Sequence, residues 1–173
     1  MTKIKFSLTM SLDGYVAGPQ QDLSNPLGLG GMALHAWARS LDAFRRQHAQ
    51  DGGTANASSQ VFDELLQGVG AHIMGRNMFG PVRGAWPTRG EPWNGWWGAE
   101  PPYHVPVFVL THYPRAPVTM QGGTTFTFVT EGIESALAQA RAAAGSRDIA
   151  IAGGARTVRQ YLAAGHVDEV NLS

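Results

Sequence analysis

The sequence contains no cysteine, which excludes disulfide bonds and thiolate metal sites and is typical of a reducing compartment. Its charge is balanced, because 13 lysines and arginines oppose 13 aspartates and glutamates. A chain without net charge lacks the electrostatic footprint that binds nucleic acid or an anionic membrane. No apolar run approaches the ~20 residues of a membrane-spanning helix, and the N-terminal segment lacks the apolar core of a signal peptide. These absences predict a soluble, cytoplasmic protein without nucleic-acid or membrane partners.

Several signatures of catalysis and metal binding are missing as well. The six histidines show no spacing that is typical of a metal site, so no metal is predicted. The sequence has neither a Gly-x-Ser-x-Gly nucleophile elbow nor a phosphate-binding Gly-Lys-Ser/Thr loop. Glycine, with 22 residues, and tryptophan, with five, are well represented instead. The candidate functional residues are therefore sought where glycines stand between a predicted strand and a predicted helix.

Short apolar runs alternate with amphipathic segments along the whole chain. Period-two patterns and buried apolar runs predict strands over residues 4–10, 71–74, 105–111, 124–130, 149–152 and 167–172. Helical spacing of apolar residues predicts helices over residues 34–44, 62–69, 133–140 and 155–162, the second of them capped by Ser59. Strands that alternate with helices predict a single α/β domain over residues 1–173, with a mostly parallel sheet flanked by helices.

The strand at 149–152 runs directly into Gly153 and Gly154, and a helix follows. Two adjacent glycines let the backbone approach another group closely, and a helix N-terminus offers free N–H groups and a partial positive charge. This combination suits a pyrophosphate. A tight turn between strand and helix, without any ligand, is the alternative interpretation.

Two other strands end on polar residues in a similar way. The strand at 71–74 meets Gly75 and then Arg76, whose planar guanidinium suits a terminal phosphate such as the 2′-phosphate of NADP. Thr111 ends the strand at 105–111 and His112 follows it, at the carboxyl end where α/β folds place ligands. An exposed arginine at a turn and ordinary polarity at a strand end are the alternatives.

Four motifs occur in a fixed order along most of the chain. They are Ser-Leu-Asp-Gly-Tyr-Val-Ala-Gly (11–18), Met-Gly-Arg-Asn-Met-Phe (74–79), Val-Phe-Val-Leu-Thr (107–111) and Ile-Ala-Gly-Gly-Ala (151–155). As an ordered set they resemble the dihydrofolate-reductase-like superfamily, and in particular the branch that contains the reductase domain of bacterial riboflavin biosynthesis.

The resemblance implies a dihydrofolate-reductase-like α/β fold, with NADPH lying across the carboxyl ends of a central, mostly parallel sheet. The residues implied for the adenosine-side phosphates are Gly75, Arg76 and Asn77, and those implied beside the ribose phosphate are Thr111 and His112. Those implied for the pyrophosphate are Gly153, Gly154, Ala155, Arg156 and Thr157. Those implied for the nicotinamide are Thr9, Val16 and Ala17, the last two from a loop that covers the site. In dihydrofolate reductases a cis peptide bond often joins the two glycines.

The chain also departs from the superfamily pattern. Dihydrofolate reductases carry a buried acid in a Trp-Pro-x-Asp-type segment, and nothing in this sequence matches it. Trp37 and Asp42 are the substrate-side candidates, with a solvated aspartate on a helix face as the alternative for Asp42. Relatives usually continue past the last strand with a glycine-rich hairpin. Either the sequence is partial and lacks that hairpin, or its sheet edge differs.

The sequence therefore predicts an NADPH-dependent reductase that transfers a hydride to a small heterocyclic substrate. It resembles the 5-amino-6-(5-phosphoribosylamino)uracil reductase of riboflavin biosynthesis. A dihydrofolate reductase and a non-catalytic module that binds a nucleotide or a partner are the alternatives. The tryptophan-rich segment 80–102 is predicted to lie over its own domain, with a subunit contact as the alternative. Together with an open sheet edge, this segment predicts a homodimer.

Overall fold

The computed structural model describes residues 2–81 and 84–173 of the chain. The strands of these residues are β1 (Ile4–Leu8), β2 (Val69–Gly75), β3 (Pro106–Leu110), β4 (Val118–Thr119), β5 (Thr125–Val129), β6 (Asp148–Gly153) and β7 (Glu169–Leu172). The α-helices are α1 (Ala36–Arg39), α2 (Asp42–Gln47), α3 (Ala57–Leu66), α4 (Arg76–Phe79), α5 (Ile133–Ala144) and α6 (Ala155–Ala163). Two 3₁₀-helices lie at Gly31–His35 and Gln121–Gly123. No helix within the described ranges is long and apolar enough to cross a membrane.

The described residues form two compact units. The larger unit contains residues 2–7 and most of residues 69–171, and the smaller unit contains residues 8–68 and 172–173. The single domain over residues 1–173 stays a prediction, as does the missing final hairpin.

The strands form one sheet in the order β4-β5-β3-β2-β6-β1-β7. The pairs β1–β6, β6–β2, β2–β3 and β3–β5 are parallel, and the short β4 is antiparallel to β5. β2 occupies the centre, and six of its seven residues are buried. A strand buried on both faces needs a nearly continuous apolar run, which is why β2 and β3 lack the alternation of a half-exposed strand. The residues of β6 alternate between buried and partly exposed. The predicted α/β fold with a mostly parallel sheet is confirmed.

Helices cover one face of the sheet, and the tryptophan-rich segment covers the other. On one face α5 packs on β2 and β3, and α6 packs on β6 and β2. On the other face a cluster of buried apolar residues on β2, β3, β5 and α4 is covered by aromatic side chains of the tryptophan-rich segment. Trp97 stacks on Phe126 with ring centroids 5.9 Å apart, and Trp86 meets Phe128 edge-on at 5.0 Å. The segment therefore lies over its own sheet, as predicted.

The helix predicted over residues 34–44 is wrong, because the chain interrupts it at Leu41. Leu41 has extended backbone angles (φ −75°, ψ 141°) and separates α1 from α2. The N–H of Thr54 donates to the Ser40 carbonyl at 2.8 Å, and the N–H of Asp42 donates to the Thr54 carbonyl at 3.3 Å. These bonds come from a segment that is distant in sequence, so the local pattern of apolar residues could not indicate the break.

The cap of α3 also differs from the prediction. Asn56, rather than Ser59, caps the helix, because its side-chain oxygen accepts the N–H of Ser59 at 3.0 Å. The Ser59 hydroxyl instead donates to the carboxylate of Asp42 and accepts the N–H of Ala43 at 3.1 Å. Ser59 therefore joins α3 to α2.

Candidate functional site

The three predicted strand ends meet at one edge of the larger unit. β2 lies between β3 and β6, and all three strands are parallel. Gly75 pairs with Leu110, the residue before Thr111, and Met74 pairs with Gly153. Because parallel strands end on the same side, the glycine of β2, the threonine after β3 and the diglycine after β6 are neighbours. Such a carboxyl edge is where α/β sheets bind ligands.

Gly75 is required by the packing of α6. A Cβ atom built on Gly75 would lie 2.4 Å from Thr157 Oγ1, far inside van der Waals contact. Thr157 is buried in the first turn of α6, so the helix start rests directly on the backbone of β2. Thr157 Oγ1 thus packs against Gly75 in the described structure. Its predicted place at the pyrophosphate stays a prediction.

The diglycine forms an open approach to the N-terminus of α6. Gly153 has φ +135°, a region that favours glycine, whereas Gly154 precedes the helix with φ −38° and ψ 160°. Apart from Gly154 itself and its two chain neighbours, no atom of the described residues lies within 4 Å of a Cβ built on Gly154. The peptide bond between the two glycines is trans, so the cis bond common in dihydrofolate reductases does not occur here.

The first turn of α6 presents donors to this open space. The Gly154 carbonyl accepts the N–H groups of Thr157 and Val158 at 3.0 and 3.2 Å. The preceding N–H groups, those of Ala155 and Arg156, belong to the helix start, where an intrahelical acceptor does not exist. The first turn carries no acidic side chain, and both residues are exposed. This geometry can accept an anion.

Arg76 lies at the predicted edge, but its side chain is covered. It is the first residue of α4, and its Cζ atom lies 3.1 Å from the ring centroid of Trp86. The guanidinium nitrogens are buried. The next residue, Asn77, is exposed. The arrangement is a cation–π contact between the guanidinium and the indole ring. The predicted role of Arg76 at a phosphate stays a prediction.

Thr111 and His112 differ in their surroundings. Thr111 is buried, and its hydroxyl accepts the N–H of Tyr113 at 3.2 Å, which stabilises the turn after β3. His112 is exposed beside it. The carbonyl of Tyr113 in turn accepts the indole N–H of Trp86 at 2.9 Å. The strand end that was predicted to meet a ribose phosphate therefore also fixes the position of Trp86.

Sequence reasoning missed Trp86 and Arg115 as parts of this edge. The Arg115 guanidinium lies 4.8 Å from the Trp86 ring and 5.0 Å from the Phe128 ring. It donates to the Trp93 carbonyl and to Asn94 Oδ1, so it ties the tryptophan-rich segment together. Burial lowers the pKa of Arg115. The only signal in the sequence was the number of tryptophans in the segment 80–102, which has no regular pattern. This signal indicated that the segment packs on something, but not which residues it contacts.

In the smaller unit, two of the predicted site residues are in contact. The indole N–H of Trp37 donates to Thr9 Oγ1 at 3.3 Å. Val16 is half-buried and Ala17 is exposed on the loop that follows β1. Their predicted roles beside the substrate and the nicotinamide stay predictions.

Asp42 belongs to a network between α2 and α3. Its carboxylate accepts the Ser59 hydroxyl and pairs with Arg46, which also contacts Asp63. The hydrogen bond from Ser59 lowers the pKa of Asp42, and Arg46 adds to this, although desolvation opposes both. A shallow depression of about 250 Å³ lies beside this carboxylate and is lined partly by Asn56. These are the contacts of a residue that joins two helices, and the substrate-side role of Asp42 stays a prediction.

A buried histidine lies deeper in the larger unit. His72 on β2 is buried, and its ring meets that of Tyr103 edge-on at 4.8 Å. Burial, and to a smaller extent the charge of Lys5, lowers the pKa of His72 to about 4. Lys5 Nζ lies 3.3 Å from Asp148 Oδ2. Among the described residues, no group of three or more His, Cys, Asp or Glu side chains could hold a metal ion.

Comparison with known proteins gives two results. The family described as "RibD C-terminal domain" matches residues 2–173. A crystal structure of a provisionally named riboflavin biosynthesis protein from Shewanella sp. PV-4 shares the fold, with a TM-score of 0.55 and 21% sequence identity. That match covers 99% of this chain and 75% of the other chain. The search of curated proteins gives no match.

Proposed function

Because the chain belongs to the RibD C-terminal domain family, a family of reductase domains, we propose that it is a cytoplasmic reductase that uses NADPH. The proposed reaction is transfer of a hydride to a small heterocyclic substrate, such as a ribosylaminopyrimidine of riboflavin biosynthesis. The observation that carries the proposal is the meeting of three strand ends beside an open helix N-terminus.

The residues at this edge fit the phosphates of a dinucleotide. The space over Gly154 is open, and the N–H groups of Ala155 and Arg156 are donors that need an acceptor. A helix N-terminus of this kind binds pyrophosphate through its N–H groups and its dipole. Arg156 is exposed and adds a positive charge beside them. Gly153, Gly154 and Ala155 would therefore hold the pyrophosphate.

Bound NADPH would supply the hydride, so the protein needs no side-chain nucleophile. The task of the chain is to hold the cofactor in one orientation and to keep water away from the reacting carbon. The glycine contact between β2 and α6 gives the phosphate end a rigid support, since Thr157 packs directly against Gly75. Trp37 is the proposed substrate-side residue, and its indole N–H donates to Thr9, the residue proposed beside the nicotinamide.

The two alternatives differ in what supports them. A dihydrofolate reductase needs a buried acid near the pterin, and Asp42 is instead bound to Ser59 and Arg46. A non-catalytic module that binds a nucleotide or a partner is favoured by one observation: Arg76, a cation that would help to fix NADPH for hydride transfer, is buried against Trp86. We therefore retain the non-catalytic module as the second candidate.

The test combines binding with turnover. NADPH at 100 times its dissociation constant should raise the free energy of unfolding by about 2.7 kcal/mol, which a thermal-shift measurement detects. NADPH oxidation is then followed with aminopyrimidine ribosides and with dihydropterins. Turnover of an aminopyrimidine supports the proposal, and turnover of dihydrofolate supports the first alternative. Binding without turnover of either class supports the non-catalytic module, and absence of NADPH binding contradicts the proposal.

A further inference from the structure

Tyr113 is an exposed aromatic residue at the edge where the strand ends meet. It follows Thr111 and His112 after β3, and it is 41% exposed. Among the described residues of the larger unit, it is the one exposed Phe, Tyr or Trp. A single exposed apolar side chain is ordinary on a protein surface, so its surroundings decide whether it has a function.

The neighbouring aromatic rings are occupied by packing. Phe79, Trp86 and Phe128 meet edge-on, with ring centroids 5.0 to 5.9 Å apart. Trp86 also lies against the Arg76 guanidinium. Among the residues that the structure describes, no aromatic ring packs against that of Tyr113. Tyr113 is therefore the aromatic ring that this edge presents to a ligand.

The backbone of Tyr113 is held on both sides. Its N–H donates to Thr111 Oγ1 at 3.2 Å, and its carbonyl accepts the indole N–H of Trp86 at 2.9 Å. Its hydroxyl oxygen lies 3.9 Å from the position that a Cβ on Gly84 would take. Because both backbone groups are bound, a ligand that stacks on the ring loses little affinity to ordering of the chain.

The order of the strands sets the direction in which a bound dinucleotide would extend. The proposed function places the pyrophosphate on Gly153 and Gly154, after β6, and the nicotinamide beside Thr9, after β1. β1 borders β6 on one side, and β2 and then β3 follow on the other. The adenosine half would therefore extend toward β3, which is about 10 Å from β6 because neighbouring strands are about 4.8 Å apart.

We propose that Tyr113 is the platform on which the adenine ring of the cofactor stacks. This inference rests on the proposed function. Every base has a π-face, so an exposed aromatic ring on a fixed backbone binds it by stacking. The adenine covers the ring of Tyr113, while the pyrophosphate stays at the diglycine.

Three substitutions change the side chain and keep the backbone bonds to Thr111 and Trp86. Tyr113→Phe keeps the ring, Tyr113→Leu keeps apolar volume without a π-face, and Tyr113→Ala removes both. Because the side chain is exposed, each variant should melt within about 2 °C of the wild type. Leu162→Ala is the matched control, because Leu162 is 47% exposed and lies at the end of α6 that is far from the diglycine.

The first readout is affinity, measured by isothermal titration calorimetry. We expect Tyr113→Ala and Tyr113→Leu to bind ADP and NADPH about tenfold more weakly, because base–aromatic stacking is lost. Tyr113→Phe and Leu162→Ala should stay within about twofold of the wild type. Reduced nicotinamide mononucleotide and inorganic pyrophosphate contain no adenine, so every variant should bind them within about twofold of the wild type.

The second readout detects the stacking itself. The chain has four tyrosines, so protein labelled on its tyrosine rings gives a simple NMR spectrum, in which Tyr113→Phe identifies the resonances of Tyr113. Saturating ADP should shift these resonances upfield, because the ring current of a stacked adenine shields them. Nuclear Overhauser contacts should join the ring protons to adenine H2 or H8.

The results separate this inference from the proposed function. Unchanged affinity of Tyr113→Ala for ADP and NADPH, or an equal loss of affinity for reduced nicotinamide mononucleotide, overturns the adenine platform, and turnover of an aminopyrimidine would still support the reductase. If ADP binding depends on Tyr113 but no heterocycle is reduced, the platform is supported and the reductase proposal fails. If the wild type binds neither ADP nor NADPH, both are contradicted.

Discussion

At the scale of single residues, a substitution at Gly154 should change the affinity for NADPH without much effect on the stability of the fold. The φ of Gly154 is negative (φ −38°, ψ 160°), so alanine is not forced into the left-handed region, and an added Cβ would meet no described atom beyond its chain neighbours within 4 Å. Gly154→Ala should therefore change the melting temperature by less than about 2 °C, which corresponds to roughly 0.5–1 kcal/mol. The added methyl group lies where we place the pyrophosphate. NADPH affinity should fall about tenfold or more, because loss of one charge-assisted hydrogen bond costs about 1.5–3 kcal/mol.

Isothermal titration calorimetry of NADPH, with a thermal melt of the same sample, tests this expectation. Unchanged affinity in a fully folded Gly154→Ala protein would place the pyrophosphate elsewhere. A large loss of stability would show instead that the space over Gly154 is filled.

Gly75 should show the opposite behaviour, because its role is in packing. A Cβ at this position would lie 2.4 Å from Thr157 Oγ1. Gly75→Ala should lower the free energy of unfolding by about 1–3 kcal/mol, the usual cost of overpacking. Thr157→Ala removes the clashing oxygen, so the double variant should recover much of that loss. Thr157→Ser keeps the oxygen and should not rescue.

Urea denaturation of the four proteins in this double-mutant cycle measures the coupling between the two residues. A coupling energy below about 0.5 kcal/mol would mean that Gly75→Ala acts on something other than Thr157.

At the scale of elements, the positions of the strand ends could be predicted from sequence. The packing of the tryptophan-rich segment beside them could not. The apolar runs of β3 and β6 and the glycines that follow are local signals, and they correctly indicated which residues meet at one edge. Trp86 lies in an irregular segment, which has no period to interpret. Its position over Arg76 depends on a hydrogen bond to Tyr113, 27 residues away. Contacts of this kind depend on tertiary packing, which a single sequence does not reveal.

The interrupted helix in the smaller unit also depends on a contact between residues that are distant in sequence. The apolar spacing of residues 34–44 is helical, but Thr54 pairs with the backbone of Ser40 and Asp42 and replaces the helical bonds there. Likewise, either Asn56 or Ser59 could cap α3 by residue type. The competing bond from Ser59 to Asp42 is visible only in the folded chain.

The buried His72 on β2 should make the stability of the fold depend on pH. The buried ring lies beside Tyr103 and near Lys5, so a second positive charge there is unfavourable. Its pKa falls from the ordinary 6.5 to about 4 on folding. Between these values the unfolded chain binds the proton more readily, so stability is complete above pH 6.5 and is lost as the pH falls toward 4. The loss attributable to His72 is about 3 kcal/mol.

Denaturant unfolding at several pH values between 7 and 4 measures this slope. His72→Phe should flatten it, because the variant has no titrating group at this position. His112→Gln is the control, since it removes an exposed histidine instead. An unchanged slope in His72→Phe would assign the acid sensitivity to other groups.

At the scale of the whole molecule, one of the two features that predicted a dimer is weakened by the structure and the other remains. The tryptophan-rich segment packs on its own sheet, so it offers less support for a subunit contact. The edge strand β7 remains, with Val170 and Leu172 about half exposed. An edge strand with exposed apolar side chains can pair with a second copy of the same strand. We therefore expect a homodimer formed through β7.

Light scattering should give a mass of roughly 37 kDa, twice the 18.5 kDa of one chain. Val170→Lys places a charge on the edge and should shift the protein to the monomer, because an edge lysine blocks pairing of strands. Leu162→Lys is the matched control, since Leu162 is similarly exposed but lies on α6, and it should remain dimeric. A monomeric wild type would contradict the expected dimer. A dimer that both substitutions leave intact would place the interface away from β7.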